Sequence, residues 1–223
     1  MKPRALASLG FAFFAILLTV GSLQAHSVYI EPDKEGKLII RFGEFGSDPE
    51  TSPGYLDSLD AVTAWHWPDG DKPKTIEAAK GEDRFSTGVS RTEGVQAQTG
   101  FPIMTRGASP PRKPFFYARW IPGLDAKADP ALTLDIVPTG VPGEARVVFR
   151  NKPLAGVTVT HYTPEANDKE HTSDEKGLIR FKSDEKGLHM LKVGRYREER
   201  AGFDRGGLHE LVSHNCSLTW TQD

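Results

Sequence analysis

A histidine at position 26 could bind a metal ion if the polypeptide were cut just before it. The mature chain would then begin with His26, whose α-amine and ring Nδ1 are two neutral nitrogen donors on one residue. The α-amine is available because its pKa, about 8, is the lowest among protein amines. Amine and imidazole nitrogens suit Ni(II), Co(II) and Cu(II). We therefore expect a divalent transition metal as the ligand of His26.

A second histidine would complete a three-nitrogen site, and the sequence offers six more. These are His66, His161, His171, His189, His209 and His214. We expect His209 or His214 to be the partner of His26, because the last strand-like segment could pair beside the first one. His214 and Cys216 fall on one face of that segment, so a buried, hydrogen-bonded histidine is the alternative. His171 is expected to be solvated in a charged turn, and His66 to pack between two tryptophans.

The first 25 residues have the three parts of a secretory signal peptide. Lys2 and Arg4 give a positive start, an apolar run covers residues 6–20, and a short exit ends in the small residue Ala25. The apolar run is shorter than the ~20 residues that a membrane-spanning helix needs. We predict cleavage after Ala25 and a periplasmic or secreted protein, with an uncleaved anchor as the alternative.

The composition excludes several classes of protein. The 223 residues carry 28 basic and 30 acidic side chains, and a formal charge of -2 argues against a general nucleic-acid binder. The 22 glycines and 16 prolines argue against an all-helical bundle, because both residues interrupt helices. A single cysteine, Cys216, rules out an internal disulfide. The sequence contains no nucleophile elbow, HExxH motif, P-loop or dinucleotide fingerprint, and no catalytic residue is predicted.

Short β-like runs separated by turn residues predict an all-β protein. Residues 28–30 and 38–42 form a hairpin pattern, residues 56–67 could be a strand, and residues 88–114 are expected to be a long loop. Turn residues cluster at 138–143, which suggests a domain boundary. We predict two packed β-sandwich modules, immunoglobulin-like or prealbumin-like, after the signal peptide at residues 1–25. The first module would cover residues 26–140 and the second residues 141–223.

The hexapeptide Ser-Asp-Glu-Lys-Gly-Leu occurs twice in the second half of the chain. The copies begin at Ser173 and Ser183 and bracket residues 179–182. Each copy puts a glycine where a tight turn can require a positive φ. We therefore expect two turns at opposite ends of one strand, in a β-meander.

Several segments resemble known protein families. Residues 151–159, 172–177 and 187–193, with Phe181 between them, resemble the carboxypeptidase-regulatory or prealbumin-like β-sandwich. With residues 25–32 and the ending at residues 217–220, the chain is similar to a family of secreted bacterial proteins with a domain of unknown function. That family is associated with the periplasmic side of cobalt and nickel uptake.

The resemblance implies a periplasmic accessory protein that captures nickel or cobalt, with copper as a further candidate, and passes the ion to a membrane transporter. Two other functions stay open. A copper-dependent monooxygenase can also be built on an amino-terminal histidine and a β-sandwich. A metal-free structural or adhesion module would leave the histidines without a ligand role.

Overall fold

The computed structural model describes residues 26–67, 72–182 and 184–223, and almost all regular structure in them is strand. The all-β prediction is confirmed. One short 3-10 helix, Tyr55–Ser58, is present, and none of the described helical structure is long and apolar enough to cross a membrane. The predicted signal peptide at residues 1–25 lies outside the described residues. The strands are β1 (Ser27–Pro32), β2 (Lys37–Gly43), β3 (Thr63–His66), β4 (Lys74–Ile76), β5 (Ala79–Lys80), β6 (Phe85–Ser90), β7 (Val95–Gly100), β8 (Arg112–Trp120), β9 (Leu134–Pro138), β10 (Glu144–Phe149), β11 (Lys152–Pro153), β12 (Thr158–Tyr162), β13 (Lys169–Thr172), β14 (Leu178–Arg180), β15 (Gly187–Asp204) and β16 (Gly207–Gln222).

The strands form one large sheet and two smaller ones. The large sheet has eight strands in the order β13-β12-β15-β16-β8-β7-β3-β4. Its centre is β16, which pairs antiparallel with β15 and parallel with β8. A four-stranded sheet has the order β1-β2-β6-β5, and a third sheet joins β9, β11 and β14 to β10. Strands of both predicted modules therefore contribute to the large sheet, and the two-module division stays a prediction.

The two smaller sheets cover opposite faces of the large one. The side chains of β8 alternate between these two faces, which shows the arrangement. The core under β1 and β2 contains Phe116, Ala118 and Trp120. Tyr117, between them in sequence, enters the second core with residues of β9 and β10. Each face of the central strands is therefore buried against apolar side chains, which stabilises the three-layer arrangement.

The last strand is buried on both faces, and its polar side chains connect two sheets. Cys216, Leu218 and Trp220 enter the second core. On the other face Ser217 Oγ donates to Val28 O over 2.7 Å, and Thr219 Oγ1 donates to Ile30 O. β1 is an edge strand, so these outward carbonyls need partners outside their own sheet. The hydroxyl groups supply them, and they fix β1, with His26 just before it, against the large sheet.

Two expectations from the sequence are wrong. Residues 88–114 were expected to be a loop, but they contain the last residues of β6, all of β7 and the first residues of β8. Glutamine, threonine and glycine weaken the strand signal of β7, although Val95 and Ala97 are fully buried. The predicted strand at residues 56–67 is also shorter, since only β3 within it is strand.

The expected meander around the repeated hexapeptide is also wrong. The first copy does form a turn, in which Gly177 has a φ of 72° and its N–H donates to Asp174 O. The strand after it, β14, pairs with β10 in the third sheet, whereas β13 and β15 both pair with β12 in the large sheet. The chain therefore crosses from one sheet to another and back, because Ile179 and Phe181 are buried in the second core.

Candidate functional site

His26 immediately precedes β1, and its side chain is 41% exposed. Its Nε2 forms a short contact with the Glu50 carboxylate, which comes from the loop after β2. The ring is also 5.3 Å from the Phe42 ring and 6.2 Å from the Tyr55 ring, between centroids. Three separate segments of the chain thus hold the imidazole in one orientation while leaving part of it open to solvent.

The contact with Glu50 decides which ring nitrogen of His26 can bind a metal. A carboxylate only accepts hydrogen bonds, so Nε2 carries the proton and donates it. The neutral ring then has its lone pair on Nδ1, the nitrogen nearer the backbone. Carboxylate groups orient metal-binding histidines in this way and raise the basicity of the ligating nitrogen. Nδ1 is also the nitrogen that can chelate together with an α-amine on the same residue.

His214 has both ring nitrogens engaged. The side chain is 2% exposed. Its Nδ1 lies 3.0 Å from Tyr117 Oη and its Nε2 lies 3.1 Å from Glu198 Oε2. Nε2–H therefore donates to the carboxylate, and Nδ1 accepts from the phenol. Burial lowers the pKa of His214, although Glu198 acts in the opposite direction. This is the hydrogen-bonded core histidine that the sequence allowed as the alternative.

His209 is buried near the start of β16. Its ring lies against Gly202 on β15, where a Cβ atom would be 2.6 Å from the histidine Nε2. Its Nδ1 is buried and has no hydrogen-bond partner among the described atoms. His209 and His214 are five residues apart on β16. The bulges in the pairing of β15 with β16 lie in β15, so side chains alternate regularly along β16. An odd separation therefore puts the two rings on opposite faces of the strand.

The structure does not bring the three predicted ligands together. His26 packs on Phe42 in the first core, whereas His214 stacks on Phe115 and Tyr117 on the opposite face of the large sheet. Val28 lies beside Ser217 and Ile30 beside Thr219, so β1 runs along β16 in the same direction and His26 is level with residue 215. His209 therefore lies roughly 20 Å from that level along β16, at about 3.3 Å per residue. Within the described ranges, no group of three or more His, Cys, Asp or Glu side chains is arranged to hold a metal ion.

A buried histidine cluster was not predicted as a unit. His161 on β12 and His189 on β15 are fully buried, and their Nε2 and Nδ1 atoms, respectively, lie 3.1 Å apart. His189 Nε2 is 2.7 Å from Glu185 O and must donate to it. His189 Nδ1 is therefore an acceptor, and His161 Nε2–H donates to it. His161 Nδ1 is left as a buried lone pair that has no partner among the described residues.

Two aromatic side chains and a third histidine complete this cluster. Trp220 stacks on His189 at 5.1 Å, and Phe181 contacts His161 at 5.1 Å. His171, expected to be solvated, lies on β13 with its ring 6.2 Å from that of His161 and its Nε2 buried. Desolvation, helped by the neighbouring histidines and Lys169, lowers the pKa of His161 to about 4. His161 is therefore neutral at physiological pH.

His66 offers a useful comparison with His26. Its Nδ1 lies 2.9 Å from Glu93 Oε2, so it also forms a histidine–carboxylate pair near the surface. It lies within β3, however, and could never carry a free α-amine. His66 is accordingly a matched control for any property that depends on the chain terminus.

No protein-family model matches the chain, and neither does any curated protein. The resemblance to secreted proteins of cobalt and nickel uptake stays a prediction.

Proposed function

We propose that the mature chain is a secreted metal-binding accessory protein that captures a divalent transition metal through His26 and delivers it to a membrane transporter. The observation that carries this proposal is the His26–Glu50 pair. It leaves Nδ1 as the nitrogen with the free lone pair, and that nitrogen forms a chelate with the α-amine once the signal peptide has been removed.

The chemistry of such a site suits temporary binding. The amine and Nδ1 fill two coordination positions, and water or a donor from another molecule fills the rest. An incomplete coordination shell lets a receiving protein add its own ligands before the first two dissociate. For nitrogen ligands, affinity should follow the order Cu(II) above Ni(II) above Co(II).

The distribution of the other histidines favours capture over oxidative catalysis. A three-nitrogen copper site needs a second histidine beside His26. The two predicted partners are placed elsewhere, since His214 is hydrogen-bonded at both nitrogens and His209 lies far along β16. The neighbours of the His26 ring are instead Glu50 and the aromatic rings of Phe42 and Tyr55.

Calorimetric titration of the protein beginning at His26 with Ni(II), Co(II) and Cu(II) tests the proposal. His26→Ala should weaken binding at least tenfold, because it removes the ring donor and leaves a lone amine. The control His66→Ala removes a similar carboxylate-paired ring and should leave the affinity unchanged. A native affinity in the His26→Ala variant would contradict the proposal.

The orienting role of Glu50 is tested separately. Glu50→Gln keeps the size of the side chain but replaces a charged acceptor with a neutral amide. We expect a 10- to 100-fold loss of metal affinity, the range seen when a carboxylate that holds a ligating histidine is removed. An unchanged affinity would show that the carboxylate does not help to organise the site.

A further inference from the structure

Four arginine side chains cluster on the face of the large sheet that carries β1. Arg112 begins β8, Arg195 and Arg197 lie on β15, and Arg106 lies in the loop before β8. The strand register explains how they meet. Arg112 is paired with Leu211, and Arg197 with Ser213, on the two sides of β16. Paired residues point to the same face of a sheet, so both arginines project on the side of Ser213 and Ser217.

The other two arginines are held nearby by local irregularities. Arg195 lies in the bulge of β15, where its N–H donates to Asn215 Oδ1 over 2.9 Å. The segment with Arg106 folds back on β8 through a bridge between Met104 and Arg112. Arg106, Arg195 and Arg197 are exposed, whereas Arg112 is half-buried.

Arg112 has one buried donor that nothing in the described part of the chain satisfies. Its Nη2 lies 3.5 Å from Met104 Sδ, a weak acceptor, and its Nε is buried without a partner. Burial lowers the pKa of Arg112, and repulsion from Arg195, Arg106 and Arg197 lowers it further. A buried donor without a partner and several like charges together destabilise this region.

Carboxylates do not neutralise the cluster. Across the described ranges, none of the four arginines has an ion pair. Glu198, next to Arg197 in sequence, pairs instead with Arg150 and His214. Glu199 is paired with Leu211 and so lies on the same face, but the described structure gives it no ion pair with any of the four arginines. Four positive charges that form no ion pair among the described residues, in a chain of net charge -2, are what a site for an anionic ligand needs.

We propose that Arg106, Arg112, Arg195 and Arg197 form a binding site for a phosphate-bearing anion. The planar guanidinium group donates two parallel hydrogen bonds to phosphate oxygens, and one phosphate can accept from more than one arginine. Arg112 is the half-buried member of the site, and the three exposed arginines supply charge around its guanidinium group. The phosphate can belong to a small soluble molecule or to the headgroup of an anionic lipid.

Titration with inorganic pyrophosphate in metal-free buffer tests the site independently of His26. The native protein should bind, and its affinity should fall as salt rises. Arg112→Met keeps an unbranched side chain but removes the donors, and we expect at least tenfold weaker binding. Arg146→Met is the control for the loss of one arginine. Like Arg112, Arg146 has no ion pair among the described residues, but it is exposed and lies on β10 in another sheet.

A second arm with vesicles distinguishes the two sources of phosphate. Binding to vesicles of anionic phospholipid, but not of phosphatidylcholine, assigns the site to a membrane surface if Arg112→Met abolishes it. Pyrophosphate binding without vesicle binding assigns the site to a soluble ligand.

The Arg112→Met variant should also be at least as heat-stable as the native protein, because it removes an unsatisfied donor. Binding of neither probe, or equal weakening by Arg112→Met and Arg146→Met, would overturn the proposal.

Discussion

Acid should destabilise this protein through the buried histidine cluster before it protonates most carboxylates. His161 has no exposed surface and is surrounded by His189, His171 and Trp220. A proton on its free Nδ1 would place a charge in the second core, beside a second imidazole and without an acceptor. The pKa of His161 is about 4 in the folded protein, against 6.5 when the residue is exposed.

The difference between these values sets the size and direction of the effect. Because the pKa is lower in the folded state, the unfolded chain binds the proton more tightly, and stability is lost as pH falls from 6.5 toward 4. Each pKa unit corresponds to about 1.4 kcal/mol. Lowering the pH from 7.5 to 5.0 should therefore reduce the free energy of unfolding by about 2 kcal/mol through His161 alone. The pKa values of His171 and His214 are also lowered by burial, so the native protein should lose more.

Urea unfolding at pH 7.5 and pH 5.0 measures this loss. His161→Phe removes the titrating group and keeps an aromatic ring beside Phe181 and Trp220. The variant should be less stable at pH 7.5, because His189 Nδ1 loses its donor. Its further loss between the two pH values should, however, be about 2 kcal/mol smaller than that of the native protein.

Thr219→Val, which removes the buried hydrogen bond to Ile30 O but no group that titrates between these pH values, is the control and should retain the native pH dependence. The same loss of stability in the native and His161→Phe proteins would refute the reasoning.

Two further predictions concern the fold. Asp135→Ala should lower the free energy of unfolding, measured in urea, by about 3–5 kcal/mol. The guanidinium group of Arg119 lies 2.6 Å from this carboxylate in the native protein and would become an unpaired buried charge. A loss below about 1 kcal/mol would contradict this prediction. Gly177→Ala should cost at least about 1 kcal/mol, since the φ of 72° is strained for alanine and the added Cβ would lie 2.5 Å from Val147 O. Thermal unfolding measures the second change, and an unchanged midpoint would show that the turn can relax.

Features set by neighbouring residues could be predicted from the sequence. The hairpin of β1 and β2 follows from two short β-rich runs around Asp33 and Gly36, and Gly36 has a φ of 74°. The turn at Gly177 was predicted for the same reason, because a tight turn depends on only four residues. The strand that follows it depends on burial of Ile179 and Phe181 against distant strands, and no local pattern shows that.

The surroundings of the histidines could not be predicted, because they come from long-range pairing. His26 meets Glu50 from 24 residues away, and nothing in a loop of mixed polar residues distinguishes that carboxylate from its neighbours. His161 meets His189 because β12 pairs with β15. Val157, Val159 and His161 alternate with polar residues in the sequence, and this alternation is the available local signal that the histidine is buried.

The amino-terminal chelate is tested most directly by adding a single residue. A glycine before His26 moves the α-amine away from Nδ1 but leaves the ring, Glu50 and the rest of the fold unchanged. Calorimetry with Ni(II) should show binding at least tenfold weaker for the extended protein than for the protein that begins at His26. Equal affinity of the two proteins would contradict the account, because the metal would then bind without the terminal amine.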